Sequence, residues 1–397
     1  GGCPFVRELA YFPQGLFLFP VNLVNELISV PFQATLGLIR AFNLLSIWQL
    51  VFAAWAAYQL ALLVVRDRRC AFIAGMAFAS APAVMSPLHN GTTAGGNAGW
   101  IAFYLWILLR QHGSLKWYPI VAGAVLGLVT LMCWYYGAFC FMATLLFVGL
   151  SLVRGERGER GRMLGFAGLL LVVATVAVVP LGLLIRSTLE HPDAQNLGGK
   201  ATFVSQACEH EFYASTLRGF FDMGLKRMSD GYAHPSYLGF GLLLLAVVGL
   251  VRGWRTEWVS RSLCWWLLAA VFALLSLGPV LWVDGEPLLK LPYYLAMKWV
   301  PLFHYFEFPF RFIVVTSLAL SVLAAVGLSA FLGDRPSRLR LFLVAFAGVL
   351  VVAEHLAALS WPMPVADARI PGIYHDIAGQ PGEGAVLDLP LSVGTTG

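Results

Sequence analysis

Apolar runs long enough to cross about 30 Å of hydrocarbon recur along this chain, separated by short polar breaks. They predict ten helices, at roughly 41–65, 70–86, 98–110, 117–134, 137–153, 163–186, 237–251, 262–283, 310–332 and 341–361. The stretch Leu16–Val30 is also apolar, but Pro20, Asn22, Asn25 and Glu26 interrupt it. That pattern suits a helix lying in the membrane interface or a re-entrant element better than a span. The fold class is an all-α polytopic membrane protein of about ten transmembrane helices. Residues 1–361 form the bundle, with outer loops at 1–40, 87–97, 187–236 and 284–309. Residues 362–397 open a truncated C-terminal extracytoplasmic domain. Because residue 1 falls in an outer loop, truncation is expected at the N-terminus as well.

Composition agrees with the pattern. Of 397 residues, 59% are hydrophobic and 12% charged, about half the charge of a soluble domain. The net charge of +5 says less than its distribution. Five short connectors (66–69, 110–116, 154–162, 252–261 and 333–340) hold 15 of the 26 Lys and Arg residues. All five fall on one side when the ten helices are drawn in order, which marks that side as cytoplasmic. Histidine is distributed the other way. His89, His191, His210, His234, His304 and His375 lie outside, His355 is near the outer end of the last span, and His112 is inside. Histidine is the side chain suited to acid–base work near neutrality, so the outer face is the expected working face. Basic residues scattered over separate loops give no nucleic-acid surface. The six cysteines have no metal or redox spacing. Cys3 and Cys208 share the outer side, where a disulfide is chemically allowed.

Three outer segments stand out for candidate chemistry, and two further clusters accompany them. Asn25 and Glu26 stand either on a structural lid or on the rim of a cavity. Ser86-Pro87-Leu88-His89-Asn90-Gly91 is a turn signal whose His89 and Asn90 are also placed to bind a hydroxyl group. In His304-Tyr305-Phe306-Glu307-Phe308-Pro309-Phe310-Arg311, Pro309 favours the first turn of a helix. Arg311 is thereby set at a helix start that suits phosphate, or else caps that helix by pairing with Glu307. Arg218, with Lys226 and Arg227, lies in an amphipathic stretch suited to anionic lipid or a lipid phosphate. Cys208-Glu209-His210-Glu211 has metal-ligating residue types at a spacing poor for chelation.

These segments resemble the C-fold (GT-C) glycosyltransferases, large bacterial membrane proteins. The likeness rests on Phe12-Pro13-Gln14-Gly15, Pro31 to Asn43, Ala74-Gly75 through Ser80-Ala81-Pro82, His89-Asn90-Gly91, Phe308-Pro309-Phe310-Arg311-Phe312, and the run from Ile370 to Leu391. It implies a GT-C-like bundle in the bacterial cytoplasmic membrane. The implied activity is transfer of a sugar from a polyprenyl-phosphate donor to an acceptor at the outer face, with a divalent metal ion as a possible cofactor. The family's acidic catalytic residue sits early in the first outer loop, a region this chain does not include. On this resemblance Glu307, His304 and Glu26 become candidates for proton transfer or orientation. Arg311, His89, Asn90, Asn25 and Arg218 become candidates for substrate binding. A lipid-linked-sugar flippase and a non-catalytic assembly protein are the alternatives.

Overall fold

The computed structural model of the protein describes residues 6–7, 16–17, 22–92, 95–110, 117–154, 157–189, 214–223, 236–253, 258–283, 286–300, 303, 306, 308–333, 336–359, 365, 368–369 and 371–379. Two short strands, β1 (Val6–Arg7) and β2 (Leu16–Phe17), pair antiparallel. Eight helices follow: α1 (Leu23–Leu36), α2 (Leu38–Val65), α3 (Arg68–Ser80), α4 (Pro82–His89), α5 (Ala98–Leu109), α6 (Tyr118–Met132), α7 (Trp134–Arg154) and α8 (Arg157–Leu189). Next come α9 (Phe240–Gly253) and α10 (Trp258–Ser276). An antiparallel hairpin of β3 (Val280–Val283) and β4 (Glu286–Lys290) leads into α11 (Pro292–Trp299). The described chain closes with α12 (Ile313–Leu332), α13 (Ser337–Ala357) and α14 (Gly372–Ala378).

Each predicted span coincides with a helix, but not all are long. Among the described residues six stretches are long and apolar enough to cross a membrane: Leu38–Val65, Arg68–His89, Trp134–Arg154, Glu159–Pro180, Pro309–Leu332 and Ser337–Ala357. Four more, Gly95–Leu109, Tyr118–Met132, Phe240–Val251 and Ser262–Ser276, are apolar helices of 10–17 residues. Two expected boundaries move. The span predicted at 262–283 stops at Ser276, because Gly278 takes φ +74 and the chain turns into β3. The span at 70–86 breaks at Ala81, since Pro82 holds the residue before it in extended backbone.

The core is organised around α12. It is apolar on every side, and every residue from Ile313 to Leu328 is buried, as a helix enclosed by protein requires. Helices α2, α3, α9 and α10 pack against it. Small residues bring the backbones together. A Cβ added to Gly327 would lie 1.7 Å from the carbonyl oxygen of Leu245 on α9. On the periphery, α8 and α13 expose Leu169, Val172, Val176, Phe342, Phe346 and Val349. Such faces suit hydrocarbon and not water.

Contacts sort the connectors by end. Arg340 pairs with Asp67 at 2.8 Å, and Asp67 also caps α3 by accepting from the N–H groups of Arg69 and Cys70. Phe147, toward the C-terminal end of α7, meets Trp265 near the start of α10 with ring centroids 5.6 Å apart. Gly249 meets Gly327 near the C-terminal ends of α9 and α12. Four of the five basic connectors thus gather at one end of the bundle. The opposite end carries the loops in which the candidate residues lie.

Candidate functional site

At the loop end, α6 and α7 meet at a one-residue joint, Cys133, held extended at φ −156 and ψ 106. The first turn of α7 then presents Trp134, Tyr135 and Tyr136. Tyr136 is buried, and its hydroxyl donates to the carbonyl oxygen of Gly95 at 2.7 Å. Tyr135 lies under Arg311, whose guanidinium carbon stands 4.6 Å from the Tyr135 ring and 4.6 Å from that of Phe308. Arg311 belongs to a 3-10 turn, Pro309–Phe312, that leads into α12. The backbone N–H of Arg311 donates to the Phe308 carbonyl at 3.1 Å, so the turn itself uses this donor of the expected helix start. The guanidinium has no carboxylate partner among the described residues. Both rings flank the guanidinium, and their centroids lie 6.5 Å from each other.

Aromatic rings form the floor. Phe306 stacks on Trp134 at 5.1 Å and also touches Tyr135, Phe139 and Phe312. Tyr293 of α11 is fully buried beside Phe303 and Phe312, and its hydroxyl donates to the Phe306 carbonyl at 2.9 Å. Burial pushes the Tyr293 phenol above the ordinary tyrosine range. A groove of about 710 Å³ between α6, α7 and α8 opens beside Trp134, with Leu126, Thr130, Phe141, Val178 and Leu183 among its walls.

The other predicted residues are dispersed around this centre. His89 ends α4, and its Nε2 is buried without a hydrogen-bond partner among the described residues. Asn90 and Gly91 (φ +69) make the turn that the sequence signals, with the Gly91 N–H donating to Leu88 and that of Thr92 to Pro87. Asn25 faces inward. Its amide donates to Asn22 and Asn97, Asn97 donates to Asn22 at 3.0 Å, and Gln49 donates to Asn97 at 3.2 Å. Glu26, one residue on, is exposed. Arg218 sits in a 3-10 turn with its side chain 84% exposed, 3.9 Å from Asp222, a surface pair of small energetic weight. His304, Glu307, Cys3, Lys226, Arg227 and the Cys208–Glu211 cluster lie outside the described residues. The divalent metal implied by the resemblance finds no ligand set here: among the described residues no three His, Cys, Asp or Glu side chains are placed to hold an ion.

Sequence reasoning also missed a second polar junction. The Glu354 carboxylate of α13 accepts the Tyr237 hydroxyl and the N–H groups of Phe240 (2.6 Å) and Gly241 (2.8 Å), capping α9 from a neighbouring helix. Beside it His355 is fully buried, with Nδ1 3.1 Å from Ser80 Oγ. A Cβ at Gly239 (φ +88) would lie 2.6 Å from His355 Nε2. The adjacent Glu354-His355 near the end of an apolar run was the signal available.

An enclosed central helix, apolar outer faces and a site of aromatic rings and amides at one end define an integral, polytopic helical membrane protein. The chain belongs to the DUF6311 family, described as a domain of unknown function, whose profile matches residues 16–353. No curated protein matches it in sequence. Among solved structures it is similar to ArnT from Cupriavidus metallidurans, crystallised bound to undecaprenyl phosphate, at 19% identity and a TM-score of 0.45. That match covers 88% of this chain and 58% of the ArnT chain.

Proposed function

We propose that the protein binds the phosphate of a polyprenyl-phosphate sugar at Arg311 and takes part in sugar transfer at the outer face of the bacterial cytoplasmic membrane. One observation carries this reading: a half-buried guanidinium stands 4.6 Å from each of two aromatic rings and has no carboxylate partner among the described residues, and a guanidinium offers a planar hydrogen-bonding edge. Phosphate matches that edge in charge and in bidentate geometry. The apolar groove beside Trp134 suits the isoprenoid chain of such a donor.

In the transfer, the acceptor oxygen attacks the anomeric carbon, and the polyprenyl phosphate leaves with the bonding electron pair. The Arg311 charge stabilises the negative charge that grows on the leaving oxygen. In this reading His304 and Glu307 flank Phe306 and take the acceptor proton or orient the sugar. In the same reading His89 and Asn90 complete the pocket for sugar hydroxyls. No observation favours a transporter: the charges Asp67, Arg340 and Glu354 sit near helix ends and each is partnered, whereas transporters carry them near mid-membrane.

Binding of a polyprenyl-phosphate sugar to the protein in nanodiscs tests the reading. Arg311→Lys keeps the charge but loses the planar fork, and is expected to weaken binding by about 1–3 kcal/mol. Glu307→Gln should leave binding close to that of the parent. Unchanged affinity in a folded Arg311→Lys protein overturns the phosphate role.

A further inference from the structure

The sequence expects residues 284–309 to be a polar outer loop, yet the structure gives the opposite surface. Leu288, Leu289, Leu295 and Trp299 are 69, 60, 57 and 75% exposed. They belong to one unit, the β3–β4 hairpin and α11. The Leu291 N–H closes the hairpin by donating to the Pro279 carbonyl at 2.9 Å. α11 is two-faced. Tyr293 and Met297, four residues apart, are buried toward the aromatic floor, while Leu295 and Trp299, also four apart, point away from it. Both faces of β4 from Pro287 to Lys290 are exposed, an arrangement that water penalises.

The unit's charge fits one kind of cover. Lys290 lies 4.5 Å from the Tyr294 ring and Lys298 5.5 Å from that of Trp299. Neither lysine is held by a carboxylate among the described residues. Large apolar side chains edged by Trp, Tyr and Lys are the composition of the membrane–water interface, where rings and ammonium groups sit at headgroup level. Position agrees as well. β3 begins four residues after α10 ends at Ser276, and a five-residue strand such as β4 reaches only about 17 Å. The hairpin therefore stays within reach of the headgroup layer from which α10 emerges.

We infer that the β3–β4 hairpin and α11 form a membrane-interface anchor. Leu288, Leu289, Leu295 and Trp299 enter the acyl region of the outer leaflet, and Lys290 and Lys298 bind the phosphates of anionic phospholipids. The helix that touches lipid on one face packs on Phe303, Phe306 and Phe312 with the other. Lipid composition thereby bears on the floor beneath Arg311.

The test uses the full chain in nanodiscs, with an environment-sensitive fluorescent amino acid incorporated at position 288 or 299, and at exposed Val365 as a reference. Phospholipids brominated on their acyl chains should quench positions 288 and 299 more than aqueous iodide does, and the order should reverse at 365. Quenching should favour brominated phosphatidylglycerol over brominated phosphatidylcholine by about fivefold per lysine. Lys290→Gln with Lys298→Gln should abolish that preference. Iodide quenching equal to or above bromolipid quenching at both 288 and 299 places the face in water and overturns the inference. Protection from both quenchers that grows with protein concentration shows a second copy covering the face, and overturns it equally. An anionic preference that survives the double lysine variant removes the phosphate contacts.

Discussion

At the scale of single residues, polar groups at the loop end are held by one another and by helix ends. Glu354 shows this most directly. Its carboxylate accepts two N–H groups at the start of α9, where the helix dipole is positive, so its charge stabilises the junction of α13 with α9. Glu354→Gln keeps an acceptor and loses the charge, and should cost about 1–2 kcal/mol. Glu26→Gln, on an exposed residue, should leave stability unchanged. The two thermal midpoints in detergent check this, and equal midpoints would refute the role given to the Glu354 charge. The sequence shows Glu354-His355 only as a polar pair in an apolar run. Its partners Tyr237 and Ser80 come from distant segments, and no local pattern joins them. Arg311 is different, because Pro309 and the flanking Phe residues mark it locally. What periodicity does not reveal is that Tyr135 would meet it.

Helices were the legible part of the fold. Each predicted span falls on a helix, and six of these stretches among the described residues are long and apolar enough to cross a membrane, where the length of an apolar run is itself the structural constraint. Breaks were harder to see: Gly278-Pro279 ends α10 early, and hydropathy alone runs through it. The stretch Leu16–Val30 reads as an interfacial or re-entrant element, and the faces of α1, which overlaps it, bear on that. Asn22, Asn25 and Ser29 are buried while Leu27, Ile28, Val30 and Phe32 are exposed, so its polar stripe faces protein and its apolar stripe faces outward. Water would favour the reverse. Helix pairing depends on residues too small to stand out in a hydropathy profile. At the α9–α12 crossing a Cβ on Gly327 would collide with backbone, the Leu245 carbonyl, which cannot rotate away. Gly327→Ala should therefore cost about 1–3 kcal/mol by forcing the helices apart. Gly149→Ala, with nothing within 4 Å, should be neutral or slightly stabilising, since alanine is the better helix former. Equal unfolding midpoints for the two variants would refute the close crossing.

For the whole molecule, the gathering of basic connectors at one end gives charge and packing a common direction. We expect the end bearing Asp67 and Arg340 to face the cytoplasm, with all ten apolar helices crossing the membrane. Reporter fusions after Arg69 and after Arg162 should then report cytoplasm, and fusions at Gln195 and Val365 the outer side. An outer signal from the Arg154–Arg162 connector would break this topology, and with it the placing of Arg311 on the outer face.

The enclosure of α12 also has a consequence for how the protein is made. α3 ends at Ser80, and α12 begins only at Ile313. The small-residue faces of α2 and α3 thus enter the membrane long before the helix that will cover them has been translated. Until then lipid must line the vacancy, and it has to be displaced sideways when α12 arrives. A nascent chain halted anywhere before Leu332 is left as an inserted set of helices without its central post. That incomplete bundle, and not the finished one, is the form that membrane quality control has to recognise.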